Sequence, residues 1–196
     1  MGKFEKQETG IDDLYVIKPT VFEDNRGFFM ETYSKRDFEE IGINSEFVQD
    51  NHSKSTKGVL RGLHFQKEYP QSKLVRVVKG EVYDVAVDLR KDSKTYGKYY
   101  GVVLSEENKL QFFIPKGFAH GFLVLSEEAE FTYKCDDIYN HEAEGGLKFD
   151  DPDVGIEWPM GDLKKEDLIT SEKDAKWPSL QELKQTDLFK NIKGEN

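Results

Sequence analysis

Three histidines raise the question of chemistry first, because imidazole exchanges a proton near neutral pH and also ligates metals. His64 lies in Arg61-Gly62-Leu63-His64-Phe65-Gln66, His120 lies in Pro115-Lys116-Gly117-Phe118-Ala119-His120-Gly121, and His52 follows Gln49-Asp50-Asn51. A lone histidine is more often a hydrogen-bonded structural group than a functional one, so its context has to decide. For His64 and His120 two uses are open: shared ligation of a metal, or proton transfer.

Spacing tests the first use. Gly58 with five residues before His64, and Pro-x-Gly-x-x-His ending at His120, resemble the two half-motifs of cupin barrels. Those barrels usually bind a metal through two His and a Glu of the first motif and one His of the second. Here the residue two after His64 is Gln66, and Pro70 and Gln71 stand where the Glu is expected. A transition-metal site wants three or four N, O or S ligands from the protein. Only two of the four remain, so no catalytic metal is expected.

The elements that must hold these residues read as strands. Short apolar runs are broken by turn residues every ten or so positions, the pattern of a sandwich or barrel. Leu74–Val78 and Val82–Leu89 flank Lys79-Gly80, which reads as a tight hairpin turn. Gln111–Ile114, His120–Leu125 and Glu130–Cys135 are further strands, the last two joined through Ser126-Glu127-Glu128. In the hairpin register Val77 faces Val82, Val75 faces Asp84 and Lys73 faces Ala86. Alternation then puts Lys73, Asp84 and Asp88 on one face with Val75 and Val77. Leu74, Tyr83, Val85, Val87 and Leu89 take the other. The mixed face suits either the lining of a ligand-binding barrel or a solvated surface. Helices look minor: Ser34 can cap one over Lys35–Ile41, with Asp37 in its first turn and Gly42 as its stop. Residues 162–174 and the tail from Ser179 read as helical in pieces, and Lys193-Gly194-Glu195-Asn196 as frayed.

Bulk properties narrow the partners. The chain has 196 residues, 13% of them aromatic, with a net charge of −10 from 38 acidic and 28 basic residues. That suits one packed domain over residues 1–196, peripheral from about residue 179. The negative surface repels nucleic acid, and an anionic small ligand would need a local Arg and Lys cluster. Cys135 is the single cysteine, so no intrachain disulfide forms. No secretory signal or membrane span is read, and a cytoplasmic location is expected.

Six stretches together are very similar to the dTDP-4-dehydrorhamnose 3,5-epimerase family. They are Asp24-Asn25-Arg26-Gly27-Phe28-Phe29, Phe47-Val48-Gln49-Asp50-Asn51, Leu60-Arg61-Gly62-Leu63-His64-Phe65-Gln66, Lys73-Leu74-Val75-Arg76-Val77, Phe118-Ala119-His120-Gly121-Phe122 and Asp151-Pro152. The likeness runs in family order from about Thr20 to Asp174, and the run ending at Gln66 is close to diagnostic. It implies an all-β, cupin-like jelly-roll barrel with short peripheral helices, independent of metal or other cofactor, working as a homodimer with site residues shared across subunits. It also implies a dTDP-linked 4-keto-6-deoxy sugar as substrate. The C4 ketone acidifies the hydrogens on C3 and C5; each is removed as a proton and returned on the opposite face. No hydride moves, so the lack of a Gly-x-Gly-x-x-Gly fingerprint is expected.

The resemblance also assigns roles. His64 is the base and Asp174 the carboxylate that orients it. Lys73 stands beside the C4 oxygen, with His120 near the sugar, and Tyr133 is the acid on the far face. Tyr139 packs on the substrate. Arg26, Arg61 and Lys173 match contacts to the diphosphate or sugar, and Glu31, Gln49, Asn51 and Glu144 polar contacts to the nucleotide. Each has a plainer reading: Arg26 with Glu31 as a surface ion pair, Tyr133 as core, Lys73 as an exposed strand lysine, Asp174 as a helix-terminal charge. Asp84 has no assigned role. Competing functions are a single-site epimerase or ketoisomerase of a related sugar, a metal-dependent cupin enzyme, and a non-catalytic sugar-nucleotide binding module.

Overall fold

The structure is a computed structural model that describes residues 2–189. Thirteen strands and two short helices follow in chain order. β1 (Phe4–Glu8) and β2 (Tyr15–Pro19) form a hairpin, as do the short β3 (Phe22–Asp24) and β4 (Gly27–Phe29). After α1 (Lys35–Glu40) come β5 (Gln49–Thr56), β6 (Leu60–Gln66), β7 (Lys73–Lys79), β8 (Glu81–Asp88) and β9 (Tyr99–Ser105). β10 (Gln111–Ile114), β11 (Phe118–Val124), β12 (Glu128–Cys135), β13 (Glu144–Gly146) and α2 (Leu180–Lys184) complete the order.

Two antiparallel sheets pack face to face. One has the order β1-β2-β10-β7-β12-β5 and the other β13-β6-β11-β8-β9. Neighbours within each sheet are mostly distant in sequence, as in a jelly roll. Between the sheets lies a core of Val75, Val77, Val82, Phe112, Phe122 and Phe131, with Phe122 and Phe131 stacked at 4.3 Å. Burying side chains of this size contributes roughly 1.5–3 kcal/mol each. This apolar plug fills only part of the interior. Further along the same strands the inward positions turn polar, and a cavity opens.

The strands match the sequence pattern, but the expected hairpin is not formed. β7 pairs with β10 and β12, while β8 pairs with β11 and β9. Gly80 (φ +75°) is a corner at which the chain leaves one sheet for the other. A Cβ there would lie 2.1 Å from the Glu128 carbonyl, so the corner is too tight for a side chain. Val75 and Asp84 therefore face each other across the interior instead of lying side by side. Alternation still assigns the faces correctly, because it does not depend on the pairing partner. The outward residues, however, serve two separate cores. Leu74 packs with Phe38 of α1, and Val85 and Val87 pack under the C-terminal segment with Leu183.

Ser34 takes the N-cap position of α1 without a side-chain cap bond, and Gly42 (φ +83°) follows the helix as expected. Ser179 caps α2 with a reciprocal Ser179–Glu182 box. Between residues 162 and 176 the helical pieces are two 3₁₀ turns, Lys165–Asp167 and Asp174–Lys176. The expectation of a frayed Lys193–Asn196 falls outside the described residues. No helix among the described residues is long and apolar enough to cross a membrane.

Candidate active site

Two glycines bring the two histidines together. His64 on β6 and His120 on β11 are register partners. A Cβ on Gly62 would sit 2.7 Å from the Gly121 Cα, and one on Gly121 2.5 Å from the Arg61 carbonyl. Only glycine at both positions lets the strands approach here. From the opposite sheet β7 sends in Lys73 and β12 sends in Tyr133. All four side chains line one cavity of about 750 Å³. That is ample for a sugar with part of its nucleotide.

His64 is held from outside the barrel. The segment after β13 returns over the sheet, joined to it through Leu60 N–H to the Ile169 carbonyl at 3.0 Å and Ile169 N–H to the Gly58 carbonyl at 2.9 Å. It delivers Asp174, whose Oδ1 lies 2.6 Å from His64 Nε2. Burial alone would push the Asp174 carboxyl up. The hydrogen bond and charge of His64, with the N–H groups of Gly62 and Trp177, reverse this and hold it below the usual carboxylate range. Ionised, Asp174 accepts from Nε2–H, so the neutral ring keeps its lone pair on Nδ1. Nδ1 is then the atom able to take a proton from a bound molecule.

His120 is deeper. Its Nε2 lies 2.9 and 3.0 Å from the two oxygens of Asp84, which is fully buried on β8. Burial pushes Asp84 up and His120 down, against their mutual attraction. Asp84 is thus the partner of His120, a job that the sequence did not disclose.

Among the described residues Lys73 makes no ion pair or side-chain hydrogen bond. Its Nζ stands 5.9 Å from the centroid of the Tyr133 ring. Burial lowers its pKa, opposed by the neighbouring acidic groups Asp84 and Glu144 and, only once its thiol ionises, Cys135. A desolvated cation with no fixed partner suits an oxygen that gains negative charge. Burial also raises the Tyr133 phenol, keeping it protonated. The Cys135 thiol is pushed up to about 11, chiefly by burial, which leaves it protonated rather than nucleophilic at neutral pH.

The cationic rim comes from Arg61, whose Nε donates to Ser55 Oγ at 3.1 Å, and Lys173. Lys173 Nζ donates to Glu144 Oε1 at 2.6 Å, and the Tyr139 hydroxyl donates to Glu144 Oε2 at 2.9 Å. Gln49 joins this rim to the wall. Its Oε1 accepts from the Tyr139 N–H, and its Nε2 donates to Asn51 Oδ1. Two of the expected residues stay away. Arg26 lies at the β3–β4 turn bound to Asp24, and Glu31 pairs with Lys3 at 2.7 Å. Neither is among the residues that line the cavity.

Gln66, which stands where a metal-binding cupin has its second His, has a structural task. Its Nε2 donates to the Tyr69 carbonyl at 2.7 Å and its Oε1 accepts from Asn140 N–H at 2.7 Å. It pins the loop that carries Tyr139. Among the described residues no three His, Cys, Asp or Glu side chains converge as metal ligands would. A larger groove of about 1270 Å³ lies elsewhere, but Arg90 within it is already bound to Asp88 and Asp13.

The sequence profile of the dTDP-4-dehydrorhamnose 3,5-epimerases matches residues 8–182. The chain belongs to this family. It is 54% identical over 182 residues to the dTDP-4-dehydrorhamnose 3,5-epimerase of Methanothermobacter thermautotrophicus, covering 93% of this chain and 97% of that one. To the Shigella flexneri enzyme it is 59% identical over 155 residues, 78% of this chain and 86% of the other. The Legionella pneumophila epimerase, solved with dTDP-4-keto-L-rhamnose, superposes with a TM-score of 0.87 at 50% identity, over 92% of this chain and 96% of that one. As a member of the family the chain is an isomerase, a sugar-nucleotide 3,5-epimerase with the cupin-like jelly-roll fold.

Trp177 and Gly146 escaped the sequence reading. A usable signal did exist for the first: in a 3₁₀ turn residues i and i+3 eclipse, so Asp174 and Trp177 must lie on one side.

Proposed function

We propose that this cavity converts dTDP-4-dehydro-6-deoxy-glucose to dTDP-4-dehydro-β-L-rhamnose with His64 as base and Tyr133 as acid. The observation that carries the assignment is their placement: an imidazole from one sheet and a phenol from the other, lining the same cavity with Lys73. His64 Nδ1 takes the proton from C3 or C5, and the resulting imidazolium is stabilised by Asp174. The enolate charge settles on O4 beside the Lys73 ammonium. Tyr133 returns a proton from the opposite side, which inverts the carbon. Arg61 and Lys173 hold the diphosphate at the rim.

The remaining contacts fit a homodimer. The β3–β4 hairpin exposes Phe22, Phe28 and Phe29, each more than half accessible, and carries Arg26. Such an apolar arm, seated on a second copy, would bring Arg26 and Glu31 to the partner's cavity.

Solvent deuterium tests the reaction: both C3 and C5 of the 4-keto sugar acquire the label, and absence from both refutes the reading. Tyr133→Phe separates its two halves. The variant still labels a carbon by removal and same-face return, while net inversion falls about 10²-fold. Inversion at the wild-type rate would take the phenol out of the mechanism.

A further inference from the structure

We infer that Trp177 is a positioning residue for the His64–Asp174 pair, its indole N–H fixing the carboxylate that orients the base. The inference rests on His64 acting as that base. Trp177 Nε1 donates to Asp174 Oδ1 at 3.1 Å, the same oxygen that faces His64 Nε2. Gly62 N–H donates to the other oxygen at 3.2 Å. The carboxylate is therefore held by three donors, and one of them, the indole, has no other bond.

The surroundings are shaped for that ring. Gly146 on β13 is the register partner of His64. A Cβ on Gly146 would lie 2.3 Å from two carbons of the indole, so the ring lies flat against bare backbone. Its other neighbours fix it in place. The His64 ring meets it edge-on with centroids 6.1 Å apart, and Lys173 Nζ stands 5.8 Å from its centroid. Pro178 is tied to the barrel through Lys148 N–H at 3.0 Å. Asp174 is thereby clamped from its own turn, and not only by the histidine that it serves.

The consequence is electrostatic as well as steric. A carboxylate that already accepts from an indole and an amide has less negative charge to offer the imidazolium. Removing the indole N–H leaves the carboxylate one donor short, so more of its charge is offered across the remaining bond to the ring. The other charged or titratable groups facing His64 are His120 from β11, Lys73 from β7, Tyr133 from β12, Glu144 from β13, Lys173, and Arg61 on its own strand. All are unchanged in a Trp177 variant.

The test uses Trp177→Phe, which keeps an aromatic ring on Gly146 and under Lys173 but has no donor. The acid limb of the kcat/KM profile moves up by about half to one pH unit. Turnover falls about tenfold through kcat with KM little changed, the rate equivalent of one charge-assisted hydrogen bond. An unmoved limb, or one shifted to lower pH, overturns the inference. A second measurement needs no mutation. The chain has two tryptophans, and Trp158 Nε1 donates to the Phe149 carbonyl, with no histidine among its ring neighbours. In the ¹⁵N-labelled protein the Trp177 indole resonance follows His64 protonation while that of Trp158 stays flat. A flat Trp177 resonance also overturns the inference. Wild-type deuterium exchange in His64→Asn would instead end the base assignment itself, and this inference with it.

Discussion

His64→Asn lowers kcat about 10³- to 10⁴-fold and abolishes deuterium entry at both carbons, with the protein still folded. The size follows from the proposed role: a positioned general base contributes about 10²- to 10⁴-fold, and on this reading the same imidazole would serve both epimerisations. Asn is chosen because its amide can still donate to Asp174, which is buried and would otherwise keep only the Gly62 and Trp177 N–H donors. The matching change, Asp174→Asn, keeps size and shape but removes the charge that would stabilise the imidazolium. With its carbonyl oxygen accepting from Trp177 and His64, its N–H₂ group is left against the Gly62 N–H. A loss of about 10³- to 10⁴-fold is expected, the scale of replacing the carboxylate partner of a catalytic histidine by its amide. Circular dichroism and a thermal melt establish folding, and the isotope measurement reads the chemistry. Turnover within tenfold of wild type in His64→Asn would remove its role as base.

Lys73→Met loses activity and gains stability. Taking away the cation beside O4 costs about 10²- to 10³-fold in kcat, the scale of one electrostatic stabiliser of an enolate or oxyanion. Yet the described residues give this ammonium no ion pair, and burial is the main cause of its lowered pKa. The methionine fits the same channel without that desolvation, so Tm rises. The pH dependence carries the sign. A lysine with a folded pKa below its unfolded value near 10.5 binds a proton more readily when unfolded. Its penalty on stability is full below the folded pKa, shrinks as pH rises toward 10.5, and is gone above it. The Tm difference between variant and wild type therefore narrows over alkaline pH. A lower Tm for Lys73→Met at neutral pH, with activity kept, would contradict both parts of the argument.

Part of the fold could be read from local pattern, and its limits are physical. The bounds of β10 followed from alternation and turn residues, and those of β7, β8, β11 and β12 to within about two residues, since those signals sit within a few positions; the other eight strands were not read. Pairing partners did not follow. Lys79-Gly80 looks like a hairpin because the local signal of a tight turn and that of a sheet-to-sheet corner are the same. What separates them is the backbone of Glu128 and Ala129 and the Ser126 hydroxyl packed against Gly80, far along the chain. The site divides in the same way. His64, Lys73, His120 and Tyr133 were named from their types, order and resemblance, and they share a cavity. The bond from Asp84 to His120, the clamp of Trp177 on Asp174 and the latch of Gln66 on its loop are tertiary contacts between ordinary residues, and no spacing rule marks them all. Arg26 and Glu31 were named with the rest, yet they lie on an arm and an edge outside the cavity.

The wrapped C-terminal segment sets an order of events during synthesis. His64 and Asp174 are separated by 110 residues, and every strand of the two sheets precedes Asp174. A nascent chain released from the ribosome up to β13 holds all the strands of the described residues, yet its His64 has no carboxylate to fix its tautomer. With His64 as the proposed base, activity is expected only once the segment through Asp174 emerges and folds back, so fragments cut short before residue 174 carry the barrel's sequence without its chemistry.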